Sequence, residues 1–427
     1  MYRRSTVPLH TRILVGLVLG ATFGLTLNFG AAGHPWLDVA IGKIAEPLGR
    51  VWLNGLIMVV IPLIISTVAL GVAELGTLAH IGRIGAVTLA TFLGLTSMAT
   101  LVGLVAVNLG RPGAGLDPEV TARLMDAYRG QAQGAMGLAE GALSIETFVR
   151  MVPRNPVAAA ASGEMLALIV FALLLGVGLT MTGRERAEPL LRALDSIAHV
   201  MIAIISLVMQ LAPFAVFALI FSVTARFGFD VLLSLLKYVI TVIGALAVFA
   251  TVAYALVLHL VGWRVTTFFR KASVVVLTAF STSSSNATLP TTLHVAQHEL
   301  GISPMVAGFV IPLGATMNMN GTALFEGVTV LFLAQVFGVT LTIAQQVVVL
   351  LMSVVTAIGV AGIPGGSIPL LMMVLGLVGV PVEGIAIVLG IDRLLDMCRT
   401  AVNVAGDLVT AAVVQRFERA ADVGVET

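Results

Sequence analysis

The sequence predicts an all-α integral membrane protein, and three observations point there. Of the 427 residues, 58% are hydrophobic and 11% charged, with a mean hydropathy of +1.06, whereas soluble proteins carry about 25% charge. Apolar stretches of spanning length recur through the first two thirds of the chain. The last third alternates half-length apolar arms with polar or glycine-rich interruptions.

The same composition excludes several classes. Net charge is +1, from 23 basic and 22 acidic residues, with no basic tract to track a phosphate backbone, so nucleic acid is not a partner. Cys398 is the single cysteine; it rules out an internal disulfide and a multi-cysteine metal site and reads as a small buried thiol. No cofactor is expected.

Six conventional spans are expected near 12–29, 48–73, 84–109, 163–182, 197–224 and 236–262. Arg3, Arg4 and Arg12 precede the first of them. They resemble the start of a secretory signal, with Gly30 and Ala32 as a possible cleavage site, but the spans that follow favour a retained first helix. The polar stretch 111–155 reads as an external excursion and helix re-entry rather than a folded domain. With the N-terminus cytoplasmic, twelve Lys and Arg fall inside, among them Arg83, Arg184, Arg186, Arg192, Arg264, Arg270, Lys271, Arg416 and Arg419. Nine fall outside, so the positive-inside bias is modest and in the right direction.

After residue 265 the pattern changes. The run Ala272–Phe280 is about 13 Å long as a helix, under half the hydrocarbon thickness, and ends in the polar sequence Ser281–Asn286. A re-entrant arm with a polar tip fits, its hydroxyls capping the returning helix and leaving N–H groups free for an anion. A serine-rich surface loop is the alternative, since the returning arm soon meets Pro290 and His294. Met305–Leu333 is apolar but interrupted by Gly314–Thr322, where a broken helix would free carbonyls for cations. Val347–Ile358, the glycine tip Gly359–Ser367 and Ile368–Val380 form a second hairpin, so the C-terminal half reads as an internal repeat.

The last helix carries the densest chemistry. Asp392, Asp396, Arg399, Asn403 and Asp407 follow at steps of four, three, four and four, which gathers them within about 80° of one helix face. Such a ladder in a membrane helix is costly unless it faces a cavity, an ion or a partner; a solvated amphipathic face is the plainer alternative.

Four ordered motifs resemble the dicarboxylate/amino acid:cation symporters, the glutamate transporter family: Ser-Ser-Ser-Asn-Ala-Thr-Leu-Pro at 283–290, Asn-Met-Asn-Gly-Thr-Ala-Leu-Phe at 318–325, Gly-Ile-Pro-Gly at 362–365 and Asp-Met-Cys-Arg-Thr-Ala-Val-Asn-Val-Ala-Gly-Asp at 396–407. Leu-Val-Gly-Leu-Val-Leu-Gly at 14–20 and Val-Ile-Pro-Leu-Ile at 60–64 extend the likeness through the chain. The resemblance implies a homotrimer in a prokaryotic cytoplasmic (inner) membrane with both termini cytoplasmic. Each subunit would have eight transmembrane helices plus two re-entrant hairpins in inverted repeats, with an elevator mechanism. Helices 1, 2, 4 and 5 (12–73 and 146–224) would form the scaffold. Helices 3 and 6 (84–109 and 232–262) and the core 268–415 would move across the bilayer.

By the same resemblance, Arg399 would pair with the substrate's side-chain carboxylate and Asp396 with its amino group. Asn403, Ser284 and Ser285 would hold the α-carboxylate, while Thr322, Gly362 and Thr400 would line the pocket. One sodium ion would sit between Asp407 and the carbonyls of Gly314, Asn318 and Asn403, and another on carbonyls of Thr316, Ala357, Ile358 and Val360. No role follows for Asp392. The bottom-up chemistry agrees, because a guanidinium grips a carboxylate bidentately and Asp396 complements an ammonium. An internal Arg399–Asp396 salt bridge at i, i+3 is the alternative for that pair.

The sequence departs from the family pattern at three places. Asn320 stands where the family has Asp, in a third sodium site completed by Thr96, Ser97 and Asn318, which weakens the case for three sodium ions. Glu326 matches a glutamate of the proton-coupled animal members, and a carboxyl desolvated there could carry a proton. Thr282 and Met397 occupy the places of an additional pocket arginine. The expected function is thus a symporter for L-glutamate or L-aspartate coupled to Na+ and/or H+. Alternatives are a proton-coupled C4-dicarboxylate symporter, which Asp396 disfavours, and remotely an intramembrane serine hydrolase using Ser283–Ser285 with His294 or His298. The hydrolase lacks a GxSxG elbow.

Overall fold

The computed structural model describes residues 9–31, 34–78, 83–115, 152–162, 165–360, 362 and 365–424, and among these residues it is helical without strands. Most of the stretch expected as an external excursion, residues 116–151, lies outside the described residues, as do Arg3, Arg4, Ile363 and Pro364. Among the described residues, seven helical segments are long and apolar enough to cross a membrane.

Helix α1 is Leu9–Ala31. Next, α2 (Pro35–Ala40) continues through a π turn at Ile41–Ala45 into α3 (Glu46–Ile57), and α4 is Val60–Leu78. The sequence suggests one span over 48–73, but the helix steps at Met58 and Val59. Pro62 has no N–H for the Met58 carbonyl, so the ladder cannot run through unbroken. Then come α5 (Arg83–Gly110), α6 (Pro156–Ser162), α7 (Met165–Thr182), α8 (Arg184–Val208) and α9 (Ala212–Phe227). Arg184, Arg186 and Arg192, counted above with the inside loops, belong instead to the first turns of α8. Good helix formers and the Glu188–Arg192 pair at i, i+4 (2.9 Å) extend the helix past its apolar part. A short 3-10 turn at Met209–Leu211 separates α8 from α9, where Pro213 lacks the N–H that would bond the Met209 carbonyl.

Helix α10 (Phe229–Val248) runs through a π turn at Phe249–Ala253 into α11 (Tyr254–Leu260). Then α12 (Val265–Thr282) and α13 (Ser285–His294) fold back on each other about Ser283, at φ 50. The break expected at Gly314–Thr322 occurs between α14 (Pro304–Met317) and α15 (Asn320–Val336). A second helical pair, α16 (Ile343–Gly359) and α17 (Ile368–Leu377), precedes α18 (Ala386–Gly424), which has 39 residues.

Packing follows glycine spacing. Gly16, Gly20 and Gly24 form a stripe on α1 against the backbone of α9, and a Cβ on Gly20 would lie 2.6 Å from the Phe217 carbonyl oxygen. Small residues at this spacing let membrane helices approach until backbones touch. The same device brings Gly176 of α7 onto α4 and Gly103 of α5 onto Leu324 of α15. Outward side chains such as Val18, Phe23, Leu101, Leu236 and Ile240 are exposed, as lipid contact requires, whereas Pro304–Val336 and Ile387–Glu418 are almost wholly buried. Helix α18 touches α1, α5, α9, α10, α12, α14 and α15, so its polar face is screened from lipid on all sides.

Gly20→Leu should destabilise the α1–α9 pair by about 2 kcal/mol or more through overpacking. A lowered thermal unfolding midpoint in detergent checks this; an unchanged midpoint would mean that α1 does not rely on the close approach.

Candidate functional site

The ladder on α18 is turned inward. Asp392, Asp396, Arg399, Asn403 and Asp407 are all buried, with Arg399 only 1% exposed. A buried guanidinium must be paired, and this one is: Nη1 donates to Asp392 Oδ1 (2.9 Å) and Nε to Asp396 Oδ1 (3.0 Å). The Phe325 ring on α15 completes the cradle, its centroid 4.2 Å from the Arg399 Cζ. The i, i+3 salt bridge is therefore present. Asp392, left without a role by sequence reasoning, is the second carboxylate that compensates Arg399.

Beside this cluster the two helical turns meet. Ser284 caps α13, its Oγ accepting from Ala287 N (3.2 Å), and the same Oγ donates to the Gly362 carbonyl (2.7 Å). Asn286 N also donates to that carbonyl (3.3 Å). Behind the contact lies a small cavity of about 10 Å³, lined in part by Ser285, Thr322, Gly362, Asp396, Thr400 and Asn403. Ser283, Ser367 and Arg399 also face it, and each brings a buried polar atom without a hydrogen-bond partner: Ser283 Oγ, Ser367 Oγ and Arg399 Nη2. Nη2 lies 3.0 Å from Asp396 Oδ1, in ion-pair range, but is not aligned to bond it. Two hydroxyls and a guanidinium N–H without a hydrogen-bond partner around one small space have the chemistry to suit a polar, anionic ligand. Of the substrate residues inferred from sequence, all but Ser284 line the cavity; Ser284 is committed to the contact between the turns.

One and two turns further along α18 the chemistry becomes that of cations. Asn403 Oδ1 accepts from Gly321 N (2.7 Å) and Thr322 N (3.3 Å), capping α15, and its Nδ2 donates to Thr322 Oγ1 (3.1 Å). Asp407 is 2% exposed and accepts from Asn318 Nδ2 (2.9 Å), its only hydrogen bond among the described residues. Gly314 lies against it, since a Cβ there would strike Asp407 Oδ1. A buried carboxylate held by one amide and facing the frayed end of α14 is suited to a monovalent cation. The second inferred cation set also sits at helix ends: Ala357, Ile358 and Val360 finish α16, and Thr316 lies in the last turn of α14, near Gly362, where a Cβ would be 2.8 Å from the Ala315 carbonyl.

The third inferred set is different. Thr96 Oγ1 donates to Asn320 Oδ1 (2.8 Å), Asn320 Nδ2 donates to Tyr254 OH (3.0 Å), and Tyr254 OH donates to the Val402 carbonyl (3.0 Å). The amide thus closes a neutral hydrogen-bond chain in which Ser97 takes no part. Glu326 is fully buried on α15; Oε2 accepts from Thr356 Oγ1 (2.7 Å) and Oε1 has no partner. The serines of the first turn make no hydrogen bond to His294 or His298, whose rings face each other at 4.7 Å, so no nucleophile–base pair forms.

Comparison with known proteins decides the family. The model of the sodium:dicarboxylate symporter family matches residues 9–417. The chain belongs to that family. A proton/glutamate-aspartate symporter of Escherichia coli (strain K12) is 35% identical over 412 residues, 96% of this chain and 93% of that protein. A proton/sodium-glutamate symport protein of Bacillus subtilis (strain 168) is 35% identical over 97% of this chain and 94% of its own length. A C4-dicarboxylate transport protein of the same organism is 32% identical over 99% and 95%. The chain is a membrane symporter and not an enzyme.

In this symporter, sequence reasoning missed Ser367, Phe325, Tyr254 and Thr356, and it placed Ser283 in the polar tip without naming it among the substrate residues. Ser283 and Ser367 were within reach, as hydroxyls beside glycine-rich or serine-rich turns. The aromatic residues carry no such signal. Ser283→Ala and Ser367→Ala break no hydrogen bond within the protein, so unfolding stability should stay within about 0.5 kcal/mol of wild type. The KM for the transported anion should rise about tenfold, the worth of a hydrogen bond to a charged group. Thermal melts alongside uptake kinetics check both; a stability loss with unchanged KM would place these hydroxyls outside the binding site.

Proposed function

We propose that this symporter moves L-aspartate or L-glutamate by an elevator mechanism, coupled to Na+ at Asp407 and to H+ at Glu326. The observation that carries this reading is the convergence of Ser283 Oγ, Ser367 Oγ and Arg399 Nη2 on one cavity beside Asp396. Anionic groups of the substrate meet donors, and its ammonium meets Asp396. The glutamate and aspartate named for the relatives in Escherichia coli and Bacillus subtilis agree with this chemistry. A cavity of about 10 Å³ has room for little more than a water molecule, so the Ser284–Gly362 contact opens for the substrate and recloses over it.

The coupling ions follow from what each carboxyl has as partner. Asp407 has one amide and neighbouring helix-end carbonyls, which suits Na+. Glu326 has one hydroxyl and a bare oxygen in the interior, where the neutral carboxyl is far cheaper to bury than the anion. The Thr96–Asn320–Tyr254 chain is complete without a cation, which argues for fewer sodium ions than the family pattern with Asp. In this reading α12–α13 and α16–α17 are the re-entrant hairpins. Helices α1–α4 and α6–α9 form the trimer scaffold, and α5 and α10–α18 the moving part. The two groups pack mostly within themselves and meet where α18 touches α1 and α9, where α16 and α17 touch α4, and where α10 touches α9. Cytoplasmic termini in a prokaryotic inner membrane agree with the inside excess of Lys and Arg.

The test is uptake of labelled L-aspartate, L-glutamate and succinate into proteoliposomes under separately imposed sodium and proton gradients. Uptake of the amino acids driven by either gradient supports the reading; no uptake of any acid overturns it. Arg399→Ala should abolish acidic uptake. Glu326→Gln should remove the response to a pH gradient while sodium-driven exchange persists, and a surviving proton requirement would exclude Glu326 as carrier. Asn320→Asp should steepen the sodium dependence of uptake, and an unchanged sodium response would mean that the amide does not replace a cation.

A further inference from the structure

Asp396 separates two cavities. One is the hydroxyl-lined space described above. The other, also about 10 Å³, lies on its far side among Trp52, Met209, Val216, Gly365, Asp392 and Arg393. Within it the Arg393 Nη1 stands 3.6 Å from Asp396 Oδ2, the oxygen that also accepts from Gly365 N (3.2 Å). The Arg393 side chain is 14% exposed, and its buried Nε has no hydrogen-bond partner. Asp396 is therefore held between two guanidiniums, Arg399 on Oδ1 and Arg393 on Oδ2. Asp392 and Asp396 are balanced by Arg393 and Arg399, so the cluster is neutral before any substrate arrives.

This bears on the reason for favouring an amino acid. A dicarboxylate without an amino group disfavours itself only if it leaves Asp396 a buried, uncompensated anion. With Arg393 and the Gly365 N–H already on Oδ2, that anion is compensated without any ammonium. A carboxylate offers about four acceptor positions, so an ammonium can still be added from the hydroxyl-lined side. We propose that Arg393 is a specificity-determining positioning residue: by serving as an internal counter-ion to Asp396 from behind, it lets the site accept C4-dicarboxylates as well as acidic amino acids. Arg393 does not touch substrate in this arrangement; it acts through Asp396.

The inference rests on the proposed function, and the experiment separates the two. In proteoliposomes, kcat/KM is measured for L-aspartate and for succinate with wild type, Arg393→Gln and Arg393→Lys, together with thermal unfolding midpoints. Wild type should transport both acids. In Arg393→Gln the succinate-to-aspartate ratio of kcat/KM should fall about tenfold or more, because a dicarboxylate then meets an uncompensated carboxylate, and Arg393→Lys should recover most of the ratio. Transport of aspartate by wild type without succinate transport, or a ratio unchanged by Arg393→Gln, overturns the inference and leaves the acidic amino acid reading intact. An equal fall for both acids with a lowered midpoint assigns Arg393 a structural role and also overturns it. No uptake of either acid by wild type fails the proposed function itself, and the inference with it.

Discussion

Everything in this fold answers to one constraint: several charges sit inside a membrane protein, mostly on a single helix. An unpaired ion in a low-dielectric interior costs several kcal/mol even after relaxation. Arg399 is therefore gripped by Asp392 and Asp396 and laid against Phe325, on a helix packed among others from both the first and the last parts of the chain. The glycine stripe on α1 and the close-approach glycines Gly103 of α5 and Gly176 of α7 serve the same end at a distance. They bring neighbouring backbones into contact, which tightens the packing around the helices that bury α18.

A second principle organises the rest: helices that stop inside the protein present their ends as partial charges. The start of α13 lies beside the anion-seeking hydroxyls, with Ser284 capping it. The ends of α14 and α16 meet near Gly362 and offer carbonyls instead. Between them, α15 begins at Asn320, and its first N–H groups are taken by Asn403. The same broken architecture thus separates a donor-rich side from an acceptor-rich side a few ångströms apart.

Much of this was legible in the sequence because it is local. Steps of three and four gathered the ladder on α18 onto one face, and glycine or serine clusters marked the turns between α12 and α13 and between α16 and α17. The break at Asn318 and Met319 was visible from the polar insert in an apolar run. What sequence reasoning did not supply is long-range. Tyr254 reaches Asn320 from 66 positions away and Val402 from 148. Thr356 meets Glu326 across a helix pair, and no periodicity encodes such meetings. Asp392 was placed on the ladder but had no role until its contact with Arg399 gave one, and Arg393 gains meaning only from its approach to Asp396. The extension of α8 back to Arg184 was masked, since a hydropathy reading stops where arginines begin.

The arrangement also explains how ion and substrate could be felt by each other without touching. Asp407 and Arg399 are eight residues apart on α18, about 12 Å along its axis. Asn318, which bonds Asp407, and Thr322, which lines the cavity, flank the first turn of α15, and Asn403 ties that turn to α18 midway between the two charges. In the proposed coupling, a cation that drew Asp407 away from Asn318 would act on the end of α14, whose Ala315 carbonyl approaches Gly362 in the turn beside the cavity. Each ligand changes the balance of a helix end that the other also uses, which is a differential contact of the kind a coupling free energy requires. Glu326 lies on the same α15 yet bonds α16 through Thr356, so a proton carried there in the proposed coupling would bear on α16 rather than on the cavity. The proposed cation and proton would thus reach one turn by two routes, at Gly362 and through α16.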